Sequence, residues 1–127
     1  MCIRDSIDTV VAANAHAPHM VKPAMAYISN ATEFGTVYSL EELAALRAAC
    51  DRHGLLLMVD GARLGVALHS KRAQGLNMAS LTDTADIFWI GGTEAGTLFG
   101  EAIVIPNAEV AEDFAFNMKQ RLSLIHI

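Results

Sequence analysis

The spacing of apolar positions changes sharply near the middle of the chain. Leu43, Leu46 and Cys50 recur at helical intervals among small alanines, whereas LLLMV at 55–59 is continuously apolar. Ser39-Leu40-Glu41-Glu42 precedes the first pattern in the form of a capping box. The Ser39 hydroxyl can accept from the Glu42 amide while the Glu42 carboxylate reaches back. Gly54 supplies the C-terminal stop, so the pattern predicts a helix over 40–53. A run without alternation fits a parallel strand covered on both faces. MAYIS at 25–29 reads as a shorter strand, and strand, helix and strand over 25–59 predict a right-handed βαβ unit.

The flanking patterns are weaker. Ile7–Ala17 reads as the tail of a helix, HAPHMVKP (16–23) as a loop broken by Pro18 and Pro23, and SNATEFGTVY (29–38) as a polar, glycine-containing loop. ARLGVALHS (62–70) predicts a helix and KRAQGLN (71–77) a turn. ADIFWI (85–90) and EAIVI (101–105) predict two further strands. The glycine-rich stretch between them is too short for a parallel crossover, which makes that pair antiparallel. Asn107–Arg121 reads as a closing helix after Pro106. The expected architecture is α/β, with a mostly parallel sheet and a final antiparallel strand. There is no internal repeat and no linker.

Composition narrows the function classes. The 127 residues suit one domain, burying roughly two thirds of its unfolded surface. Net charge is −5 with no basic run, which argues against nucleic acid as a partner. Mean hydropathy is +0.33 with 18% charged residues, as expected of buried strands and an oligomer interface. The longest strand-like apolar run is far too short to cross a bilayer, so no membrane role is expected. MCIRDSIDTVVAANAHA ends in an Ala-x-Ala pattern, but Asp5 and Asp8 interrupt any apolar core of a leader. Cys2 and Cys50 form no metal or disulfide framework. The expectation is a cytoplasmic protein without a metal.

The two ends stand apart. MCIRDS can be encoded by ATG TGT ATA AGA GAC AG, and LSLIHI, residues 122–127, by CTG TCT CTT ATA CAC AT. These strings are reverse complements. Two ends of a natural gene have no physical reason to match so, whereas an adapter ligated to both ends of a DNA fragment produces the match. The string also resembles a common transposase adapter. Residues 1–6 and 122–127 are therefore expected to be translated adapter, and 7–121 an internal piece of a longer gene. On that reading Cys50 is the one genuine cysteine.

Ligands in open α/β sheets gather outside the carboxyl ends of strands, and three strand ends here are polar: SNATE at 29–33, DGAR at 60–63 and GGTE at 91–94. Asp60 directly follows a buried apolar run, where a carboxylate needs a partner. It can pair with Arg63 or cap the next helix, or it can serve as counter-ion to a buried cation; the residues alone leave these open. Gly91 and Gly92 can let the backbone approach a ligand or can form a plain turn. His16 and His19 read as solvated loop residues, and Trp89 as core.

DGAR, followed some thirty residues later by GGT-x-x-G, resembles the threonine aldolase and β-eliminating lyase family of fold-type I pyridoxal-phosphate enzymes. AYISNATEFGTVYSLEELAALRAACDRHGLLLMVDGARLGVAL and DIFWIGGTEAGTLFGEAIVIP both fit, in the right order, and the likeness covers about 19–121. It implies that 7–121 is part of a three-layer α/β/α large domain that binds pyridoxal phosphate. The aspartate matching Asp60 bonds the pyridine nitrogen and keeps it protonated, making the ring an electron sink. The arginine matching Arg63 lies near anionic groups of cofactor or substrate. The resemblance further implies that Gly91, Gly92 and Thr93 line the cofactor pocket. The implied reaction cleaves threonine or allo-threonine to glycine and acetaldehyde in a homodimer or homotetramer.

Position 94 departs from this pattern. The family carries there the lysine whose amine forms the Schiff base with pyridoxal, and Glu94 cannot do so. A carboxylate near a phosphate-bearing cofactor is also unfavourable in a low-dielectric site. Lys22, Lys71 and Lys119 sit in a loop, a basic turn and the last helix, and none replaces it. Two readings follow. Lysine and glutamate codons differ by one purine transition, so Glu94 can be a miscalled lysine in an otherwise ordinary aldolase. Alternatively it is real, and the chain is a non-catalytic relative kept for binding or assembly. A third, weaker reading is another fold-type I activity, such as an aminotransferase or a β-elimination.

Overall fold

Ser39 starts α2 (Leu40–His53) with both halves of the capping box in place. The Glu42 amide donates to Ser39 Oγ at 3.2 Å, and the Ser39 amide donates to Glu42 Oε2 at 2.8 Å. Gly54 closes the helix at φ 63°, a conformation that costs little only without a Cβ. The buried face of α2 is Leu43, Leu46, Ala49 and Cys50. Burial pushes the Cys50 thiol above its ordinary range.

The computed structural model describes residues 3–16 and 18–122. Ala17, predicted to end the first helix, and adapter-like residues 1–2 and 123–127 lie outside that range. Ile3–Ser6 begin helix α1 (Ile3–Ala13). Four strands follow: β1 (Met25–Ser29), β2 (Leu56–Asp60), β3 (Ile87–Gly91) and β4 (Glu101–Val104), in spatial order β1-β2-β3-β4. β1, β2 and β3 are parallel and β4 is antiparallel to β3, as the short connection requires.

Register assigns the two faces. Ile28 pairs with Val59 and Val59 with Phe88, so these share one face; with Leu57, Leu43, Leu46, Leu64 and Leu81 they form the core cluster. Tyr27 pairs with Met58 and Ser29 with Asp60, on the other face, where Met25, Tyr27 and Ile103 are exposed. LLLMV therefore does not behave as a strand covered on both sides among the described residues. Leu57 and Val59 are fully buried, whereas Leu56 and Met58 are only partly so.

The short elements differ from the sequence pattern. The helix predicted over 62–70 is one turn, α3 (Leu64–Ala67), followed by a 3-10 turn at Lys71–Ala73. A helix the pattern missed, α4 (Met78–Thr84), begins at a second capping box. Asn77 Oδ1 accepts from the Ser80 amide, and Ser80 Oγ from the Asn77 amide. Serine in place of the usual Glu or Gln hides the signature. The closing helix is split into α5 (Ala108–Ala111) and α6 (Phe114–Leu122), with Glu112 and Asp113 between them.

At the amino ends of the strands, one ionic node ties α2 to the sheet. Arg47 donates to Asp86 Oδ2 at 2.6 Å, to Asp51 Oδ1 at 2.9 Å and to the Leu55 carbonyl at 2.9 Å. Asp86 also accepts from the Leu57 amide at 2.7 Å and from Asn107 Nδ2 at 2.7 Å. Burial raises the Asp86 carboxyl, but the donors Asn107, Leu57 and Arg47 outweigh it and hold the group below the usual carboxylate range. This node sets the near ends of β2, β3 and the connection after β4.

Candidate functional site

The opposite, carboxyl ends of the strands gather the polar residues that the sequence singled out. Asp60 ends β2 and is partly buried. Its Oδ1 accepts from the Ala62 amide at 2.9 Å and its Oδ2 from the Tyr27 hydroxyl at 2.6 Å. The Ala62 bond is the local turn that leads into α3, so part of the simple capping interpretation holds. The other part does not: Arg63 donates to Glu33 Oε1 at 2.8 Å, and among the described residues no salt bridge reaches Asp60. The Asp60 carboxylate thus has two neutral donors and no salt-bridged cation among the described residues.

Arg63 is held by Glu33 from the loop after β1. The Glu33 hydrogen bond and charge raise the guanidinium above its ordinary range, and the charges of Glu94 and Asp60 add to this. Glu94 lies in the 3-10 turn Thr93–Ala95 directly after β3, exposed to solvent together with Thr93. Glu33, Asp60 and Glu94 thus surround one arginine. Thr32, in the same loop as Glu33, is occupied locally, its hydroxyl lying 2.5 Å from that of Thr36.

Glycines bring these strand ends together. The Gly91 amide donates to the Gly61 carbonyl at 2.9 Å. A methyl group at Gly61 would overlap the Trp89 carbonyl, and one at Gly91 would overlap the Ala62 backbone. At Gly92 it would overlap the Gly100 carbonyl and the Thr97 hydroxyl. The three glycines are therefore already required by contacts of the chain with itself. Gly65 of α3 also faces Ala95, where an added Cβ would stand 3.3 Å from the Ala95 Cβ. DGAR and GGTE form one packed unit as a result.

Two participants escaped the sequence reading. Tyr27 shares a face with Asp60 through strand register, a parity that MAYIS and LLLMV contain but that reads as a contact only once pairing is known. Its ring lies 6.1 Å from that of Trp89, tilted by 46°, so half-buried Trp89 flanks this face rather than joining the core cluster. Asn30 is fully buried beside the site. Its amide donates to the Asp60 carbonyl at 2.8 Å and its Oδ1 accepts from Tyr38, while its Nδ2 has no protein partner among the described residues. His16, His19, Lys22, Lys71 and Lys119 are exposed, and none takes part in the cluster at these strand ends. No group of three or more potential metal ligands occurs among the described residues.

The donor set suits one end of pyridoxal phosphate and not the other. Asp60 offers an unpaired carboxylate to a protonated ring nitrogen, and Arg63 offers a guanidinium to an anion. Glu94 offers no amine to the aldehyde.

Known proteins share this framework. The family model described as β-eliminating lyase matches residues 4–122. A low specificity L-threonine aldolase from a Pseudomonas species is 42% identical over 104 residues, which are 80% of this chain and 29% of that protein. The enzyme of the same name from Pseudomonas aeruginosa is 41% identical over the same share of each chain. A solved threonine aldolase structure from Leishmania major superimposes with a TM-score of 0.88 at 42% identity, covering 93% of this chain and 34% of that one. The chain thus spans about a third or less of the length of these relatives. With the strand order, the DGAR turn and the GGT strand end all in place, the chain belongs to the β-eliminating lyase family.

Proposed function

We propose that the polypeptide containing this segment is a pyridoxal-phosphate aldehyde-lyase of the low-specificity threonine aldolase type. It cleaves threonine or allo-threonine to glycine and acetaldehyde. The observation that carries the reading is the Asp60 carboxylate, hydrogen-bonded at both oxygens and unpaired by Arg63. Bound pyridoxal phosphate supplies an electron sink for the pair released when a Cα–Cβ bond breaks. Asp60 holds the proton on the ring nitrogen, and Arg63, once released by Glu33, binds a substrate or cofactor anion bidentately. Cofactor, amino acid substrate, a homodimeric or homotetrameric assembly and a cytoplasmic setting all belong to this proposal. Among the described residues no helix is long and apolar enough to cross a membrane.

Glu94 favours a second reading. With a carboxylate where the cofactor's aldehyde needs an amine, the chain as written is a non-catalytic relative that keeps the fold for binding or assembly. Resequencing codon 94 from independent reads separates a miscalled lysine from a real loss. In the full-length protein, Glu94→Lys should then capture pyridoxal phosphate covalently, seen as a mass increase after borohydride reduction, with glycine formation restored. Failure of Glu94→Lys to capture the cofactor would defeat the enzyme reading, and a lysine codon at 94 would defeat the non-catalytic one.

A further inference from the structure

Tyr27 approaches Asp60 from a neighbouring strand. β1 and β2 pair with Tyr27 opposite Met58 and Ser29 opposite Asp60, which places the phenol and the carboxylate on one face of the sheet. The hydroxyl donates to Asp60 Oδ2 at 2.6 Å, the short range of a charge-assisted O–H···O bond. Ala62 takes the other oxygen at 2.9 Å from within the DGAR turn. One donor leaves a carboxylate free to rotate about its Cβ–Cγ bond; donors at both oxygens define its plane. Each oxygen keeps a further lone pair.

The ring is itself supported. Trp89, on β3, stands with its centroid 6.1 Å from that of Tyr27 across β2. The phenol stays protonated at neutral pH: its hydrogen bond to Asp60, burial and the Asp60 charge all push its ionisation above the ordinary range, Glu33 adds to this, and only Ser29 opposes it.

We infer that Tyr27 is a positioning residue, which orients the Asp60 carboxylate so that a remaining lone pair receives a protonated pyridine nitrogen. This rests on the proposal that Asp60 serves that nitrogen, and the test separates the two ideas. The affinity of the full-length protein is measured for pyridoxal phosphate and for its 1-deaza analogue, in which carbon replaces the ring nitrogen. The unaltered protein should prefer the natural ring, and Asp60→Asn should abolish the preference. Tyr27→Phe, which keeps the ring against Trp89, should cut the preference about tenfold, with affinity for the analogue unchanged. A general packing defect would weaken both ligands equally.

If Tyr27→Phe keeps the full preference while Asp60→Asn loses it, the inference fails and the role of Asp60 stands. If Asp60→Asn keeps it, or the protein binds neither ligand, both fail. Tyrosine ionisation in the full-length protein, followed by ultraviolet absorbance, needs no ligand. The transition lost in Tyr27→Phe identifies Tyr27, Asp60→Asn should return that transition toward the ordinary range, and no change would overturn the contact.

Discussion

Arg63 donates to Glu33 at 2.8 Å and leaves Asp60, on the same turn, without a salt bridge among the described residues. The pair is solvent-exposed on both sides, which makes it easily exchanged for another anion. On the proposed reading, Glu33 competes with a ligand anion for the arginine and adds little stability. Glu33→Gln should raise the affinity for pyridoxal phosphate by about threefold, as measured by calorimetric titration, with the melting temperature unchanged. An unaltered affinity would exclude Arg63 as the anion-binding group.

At the other end of the sheet, Arg47 is mostly buried and bonds Asp51 of α2, Asp86 just before β3 and Leu55 just before β2. Arg47→Met keeps the length of the stem but strands the Asp86 charge with only neutral donors. The expected cost is about 3 kcal/mol, read from urea denaturation. A loss well below this would mean that Asn107 and the Leu57 amide satisfy Asp86 by themselves.

Asp86 also predicts an acid limb. Its folded carboxyl titrates below the ordinary range because of donors from Asn107, Leu57 and Arg47 that overcome burial. The unfolded chain consequently binds a proton here at a higher pH than the folded chain does, and across that interval stability rises with pH. The contribution is complete above the ordinary carboxylate range, about 4, and is lost as pH falls through the lower folded value. Urea midpoints should drop steeply below about pH 4. In Asp86→Asn the protein should be weaker at neutral pH and the acid slope flatter.

Gly61 tests the packing of the two motifs. Its Cα meets the Trp89 carbonyl and the Leu64 side chain too closely for a Cβ. Gly61→Ala should cost about 1–3 kcal/mol and lengthen the bond from the Gly91 amide to the residue 61 carbonyl. Faster hydrogen exchange at Gly91 would report that change, and unchanged exchange would show that the loop absorbs the methyl.

Some of this was legible before any coordinates. The box at Ser39–Glu42 and Gly54 delimit α2 because the residues that satisfy a helix end lie within one turn of it. The βαβ unit follows from the strand–helix–strand order, and the antiparallel last strand from its short connection. The one-turn α3 and the division between α5 and α6 were not visible, since short helices depend on what they pack against more than on propensity. The α4 cap was overlooked because serine is an uncommon partner in that motif.

The sequence by itself determined the family, the strands along the chain and the identity of the polar groups at their ends, including an acid at position 94. These are local properties: a motif's residues are neighbours along the chain, and an apolar period is counted within one element. Only the tertiary structure decided that Arg63 belongs to Glu33, that Tyr27 serves Asp60, and that Gly61 and Gly91 lock two motifs together. Those contacts join residues about thirty positions apart, and strand register, which no single element contains, sets which side chains meet.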